Sequence, residues 1–85
     1  MEVSPNPVVD EATITITSST TIPVTLTAMD ASGKTSMTLF EGVVYEGTPL
    51  LLPFDALTWD GRGRMVWFKL AGGGTIITRK VMVLV

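Results

Sequence analysis

The sequence predicts an all-β fold, an antiparallel sandwich of seven short strands. Three observations carry that prediction. Several windows alternate apolar residues with polar β-branched ones, turn residues separate those windows at short intervals, and no window places apolar residues at helical spacing. Runs of strands without helices must bury their apolar faces against one another, and two packed sheets are the ordinary solution.

The chain opens on Ser4-Pro5-Asn6-Pro7. Each proline fixes φ, lacks an N–H and pushes the residue before it toward extended geometry. This segment is therefore predicted to be a stiff, extended lead-in, with almost nothing upstream belonging to the domain. From Ala12 the alternation is strict, with Ala12, Ile14 and Ile16 on one side and Thr13, Thr15 and Thr17 on the other. That pattern describes a half-buried first strand.

After a polar turn at Ser18–Thr21, the second strand runs from Ile22 to Met29, with Val24, Leu26 and Ala28 inward and Thr25 and Thr27 outward. Pro23 belongs at its start or on an edge. Asp30-Ala31-Ser32-Gly33-Lys34 has hairpin-turn residues. The third strand covers Thr35–Glu41, with Met37 and Leu39 inward. Gly42 should interrupt it, and Val43–Glu46 can extend briefly before the turn at Gly47-Thr48-Pro49. Leu50–Phe54 is a short strand at an edge or corner, since prolines flank and enter it. Asp55–Gly63 is the least regular stretch. Met65–Leu70 alternates again, with Val66, Phe68 and Leu70 inward and Met65, Trp67 and Lys69 outward. Ala71–Gly74 is a flexible hairpin loop, and Thr75–Val85 is a long β segment broken near Arg79-Lys80.

Eighty-five residues make one domain, and a domain of this size buries roughly 60–65% of its unfolded surface. No apolar run reaches the ~18 residues of a spanning helix, so direct membrane insertion is not expected. Six basic against eight acidic residues leave a net charge of −2, with no basic field for nucleic acid. There is no cysteine, so disulfide and thiolate chemistry are excluded. Met1-Glu2-Val3 has neither a basic nor an apolar region, so it does not read as a signal peptide. The abrupt entry into the first strand points to residues 1–85 being excised from a longer precursor. The other reading is a cytosolic protein.

With no histidine and no cysteine, the usual zinc sites, histidine-based triads and thiol nucleophiles are out of reach. The carboxylates Asp30, Glu46, Asp55 and Asp60 read as solvated turn residues, and no calcium-loop spacing is present. Gly72-Gly73-Gly74 opens no helix and carries no phosphate-loop lysine. No enzyme, cofactor or metal is expected. Thr13, Thr15, Thr17, Thr25 and Thr27 could form one hydroxyl array, although threonine is simply a good outward strand residue. Phe40, Tyr45, Trp59 and Trp67 could supply a stacking platform for sugars, or could pack as a minor core. Val81-Met82-Val83-Leu84-Val85 is apolar on both faces. It is either central in a sheet or offered to a partner strand, self-pairing included.

Taken together, SPNPVVDEATITI, VTLTAMDASGK and GGGTIITRKVMVLV resemble the C-terminal sorting domains of the type IX secretion system of Bacteroidetes. Pro5, Asn6 and Pro7 match that family's opening. Asp30, Gly33 and Lys34 match its Asp-x-x-Gly-[Arg/Lys] turn, and Lys80, Val81 and Val83 match its closing strand. Its Leu-x-x-Gly-x-Tyr stretch corresponds here to a longer segment from Leu57 that lacks the tyrosine. The segment Thr58-Trp59-Asp60-Gly61-Arg62 is also similar to a turn in the immunoglobulin-like domain of flagellar hook-capping proteins.

Both resemblances imply an immunoglobulin-like β-sandwich. The first implies a non-catalytic signal that carries an attached cargo across the outer membrane. The implied partners are the type IX translocon, its shuttle protein and the surface sortase. The implied locations are the periplasm in transit, then the cell surface or the medium. The second implies a structural spacer or assembly module. A carbohydrate-binding module is the third class.

Overall fold

The computed structural model describes residues 1–30, 32, 36–56, 59 and 65–84. In chain order its strands are β1 (Glu2–Ser4), β2 (Glu11–Ile16), β3 (Ile22–Asp30), β4 (Ser36–Val44), β5 (Leu50–Asp55), β6 (Met65–Gly72) and β7 (Thr75–Met82). They form two antiparallel sheets, ordered β1-β2-β5 and β4-β3-β6-β7. The all-β sandwich is thus the observed fold. The β2–β5 and β3–β6 pairings are those of an immunoglobulin-like sandwich. In the constant-type order the fourth strand closes the first sheet, whereas here β4 lies beside β3.

Alternation explains which residues meet between the sheets. Ala12, Ile14 and Ile16 of β2 face Val24, Leu26 and Ala28 of β3 and Val66, Phe68 and Leu70 of β6, all buried in one cluster. Burying each larger side chain stabilises the fold by about 1.5–3 kcal/mol. Phe54 of β5 anchors the centre. Its ring meets Phe68 edge-on at 5.0 Å and tilts against Trp59 at 5.8 Å.

The departures from expectation lie mainly at the edges. Residues upstream of Pro5 do belong to the domain: β1 pairs with β2, Val3 opposite Ile14, and Met1 and Val3 pack on the core. Pro5–Pro7 is a series of bends with cis Ser4-Pro5 and Asn6-Pro7 peptides, and is not an extended lead-in. A proline's fixed φ serves a turn as well as an extended chain, and a three-residue strand is too short for its alternation to show.

β4 runs through Gly42 without a break. Its irregularity lies at Leu39, where Leu26 pairs with Phe40 but Thr27 with Thr38. This bulge turns Leu39 and Phe40 both inward, and both pack against the core. Met37 lies on the same side but at the rim, so it is 48% exposed. The final segment does not break at Arg79-Lys80, because the β6–β7 register is continuous from Gly72↔Thr75 to Met65↔Met82. Two exposed cations on an outermost strand leave its ladder intact. The hairpin loop narrows to Gly73-Gly74, both at positive φ, as a two-residue turn requires.

Candidate functional site

The site is built where the two ends of the described chain meet. Beyond its bends the chain places Val8 beside the end of β7 in a parallel bridge with Val83. The Val8 N–H donates to the Met82 carbonyl at 2.8 Å, and the Leu84 N–H donates to the Val8 carbonyl at 2.7 Å. Val8, Val81 and Val83 are buried. The start of the chain therefore belongs to both sheets, through β1 in one and Val8 in the other. Beside this junction, Glu2, Val3, Asn6, Arg79, Lys80 and Val81 line a cleft of about 210 Å³ with Met1.

The sequence-predicted residues divide accordingly. Asn6, Lys80 and Val81 come together in the cleft, with Pro5 and Pro7 exposed on the approach to it. Val81 and Val83 supply core, so the surface of that segment is Lys80, Met82 and Leu84. The segment is not central, since β7 is outermost in its sheet, with only its far end bridged by Val8. Asp30 pairs with Val66, which pairs with Val81. At strand spacing that places Asp30 about 10 Å from Val81. It is not a solvated turn carboxylate: it is 1% exposed and accepts a 2.8 Å hydrogen bond from the Ser32 hydroxyl. Its position one residue beyond the apolar alternation of β3 on the inward side explains this. Gly33 and Lys34 lie outside the described residues.

Electrostatically, the cleft holds two cations and one carboxylate. Arg79 donates to the neighbouring Thr78 carbonyl at 3.4 Å. Among the described residues neither Arg79 nor Lys80 forms an ion pair. Arg79 was legible only as a polar interruption, and Met82 and Leu84 as one half of a two-sided apolar run. The register with β6, which sets Val81 opposite the buried Val66, is what separates their exposed faces from the buried valines.

The other candidate groupings do not assemble. Thr13 and Thr15 are on the outer face of the three-stranded sheet, while Thr25 and Thr27 are on that of the four-stranded sheet, opposite surfaces of the sandwich. Phe40 and Trp59 pack on the core, Tyr45 stands in the turn after β4, and Trp67 is on the outer sheet face. They share no platform. Glu46 and Asp55 are exposed, and Asp60 lies outside the described residues. Among the described residues no three His, Cys, Asp or Glu side chains are grouped to hold a metal ion. At the hairpin end, Ile16, Val24, Val44, Leu70 and Ile77 floor an open cavity of about 370 Å³ rimmed by threonine and serine.

Comparison with family models, with curated proteins and with solved structures finds no match to this chain.

Proposed function

We propose that this domain is a non-catalytic sorting signal, a folded module that directs an attached cargo across the outer membrane through the type IX secretion system to the cell surface. One observation carries the reading. The opening and closing segments that bear the resemblance are far apart in sequence, yet they are hydrogen-bonded to each other through Val8 and share one cleft. A receptor docking there reads both segments at once, and only when the sandwich is folded. The partners are the translocon and its shuttle protein, with the sortase acting on the cargo afterwards. The domain passes through the periplasm and reaches the surface or the medium with its cargo.

The test is a reporter carrying a periplasmic signal peptide in front and residues 1–85 behind, followed in a type IX-competent bacterium and in a mutant lacking that system. Surface or released reporter in the competent strain alone is the expected result. Reporter held in the periplasm of both strains overturns it and favours an immunoglobulin-like structural spacer. Deleting residues 80–85 also removes Val81 and Val83 from the core. The sharper variant therefore changes only the exposed positions Lys80, Met82 and Leu84.

A further inference from the structure

Along a strand the backbone polar groups of successive residues point to opposite edges. In β7 the phase is set by Val8, whose bond to the Met82 carbonyl lies on the side away from β6. Counting back by two, Lys80, Thr78 and Ile76 point their N–H and C=O groups the same way. The hairpin gives the same phase, since Gly72 and Thr75 flank a two-residue turn and so bond to each other. β7 is outermost, and Val8 covers its edge only at Met82 and Leu84. Among the described residues, the outward groups of Ile76, Thr78 and Lys80 meet one partner, the Arg79 guanidinium at the Thr78 carbonyl.

We infer that this edge is a pairing site for an extended, acidic peptide segment. The edge is straight, with no proline, bulge or register shift between Thr75 and Met82. It already accepts one extended residue beyond its far end, where Val8 forms a parallel bridge with Val83. An added segment would continue that pairing into the stretch beside the cleft. Arg79 and Lys80 select its chemistry. A second copy laid antiparallel across these residues would bring four cations together, which is unfavourable. A segment with carboxylates at alternate positions carries them all on one face, where they would meet Lys80 on the outer side of the sheet, and Arg79 beside it adds to the positive field. The lone carboxylate of Glu2 across the cleft leaves the balance positive.

This inference does not rest on export, and it is tested on the isolated chain. The probe is a short synthetic peptide of alternating Glu and Val, with an alternating Lys and Val peptide as control, titrated into isotope-labelled protein. The acidic peptide should shift the amides of Ile76, Thr78 and Lys80 saturably and slow their hydrogen exchange, while the basic one does neither. Thr78→Pro removes one outward N–H and should weaken binding about tenfold. If that variant fails to fold, the Arg79→Glu/Lys80→Glu double variant decides, because it should reverse the preference between the two peptides. Unmoved amides, equal response to both peptides, or a concentration-dependent dimer through this edge would each overturn the proposal. Export of the reporter with a peptide-blind edge would overturn the proposal alone, and peptide binding without export would overturn the sorting function alone.

Discussion

The two outermost strands of the four-stranded sheet, β4 and β7, are nearly equal in length, at nine and eight residues, and are protected in opposite ways. β4 carries a bulge at Leu39 that sends two successive side chains inward and re-aims the strand. Its Gly42 lies under the Phe40 ring, with Phe40 Cζ 2.9 Å from where a Cβ would stand. β7 is regular throughout. It relies on two cations and on Val8, which covers only its last residues. A bulge withdraws an edge from every partner. A charge merely chooses among them.

Four substitutions probe this contrast, in descending order of effect. Gly72, the residue leading into the hairpin of β7, has the Pro23 carbonyl oxygen 2.7 Å and Val24 Cγ1 2.8 Å from its missing Cβ. Backbone cannot step aside, so Gly72→Ala should cost about 3 kcal/mol in urea denaturation. Val8→Ala removes two buried methyl groups at the bridge and should cost about 2 kcal/mol, with faster hydrogen exchange at Leu84. A loss below about 0.5 kcal/mol would make that bridge incidental to stability. Gly42→Ala meets only the tip of a ring, which can swing away, so about 1 kcal/mol is expected. Losses as large as at Gly72 would show that the Phe40 ring is locked. Lys80→Glu should change stability by less than about 0.5 kcal/mol, yet abolish binding of the acidic peptide.

The faces of β2, β3 and β6 were legible because alternation reports directly which side of a strand is buried. Ala12, Ile14 and Ile16 and then Val66, Phe68 and Leu70 are buried as expected. Alternation says nothing about neighbours. Whether β7 is central or outermost depends on pairing with β6, and the bridge from Val8 to Val83 joins residues at opposite ends of the chain. Leu39 and Phe40 show a second limit: a bulge repeats a face, so a two-residue period counted across it goes out of step. Asp30 shows a third. Its carboxylate was assigned by its neighbours in the turn, whereas its face continues that of Val24, Leu26 and Ala28.

The same cleft residues were named in part. Asn6, Lys80 and Val81 came from resemblance, while Glu2 and Arg79 join them only through the fold. Of the closing run, the buried valines carry the familiar pattern and the exposed Met82 and Leu84 carry the surface.

The parallel bridge at Val8 also governs how the domain would answer a pull. Drawing the chain backward from Val8 and forward from Leu84 slides two side-by-side segments past each other along their length. The two hydrogen bonds between them are then loaded together in shear, and neither can open first as in an unzipping hairpin. The β6–β7 hairpin behind them stays out of the line of tension until that clamp gives way. The join between Val8 and the end of β7 is therefore a shear clamp, loaded on the upstream side once β1 has been drawn off β2.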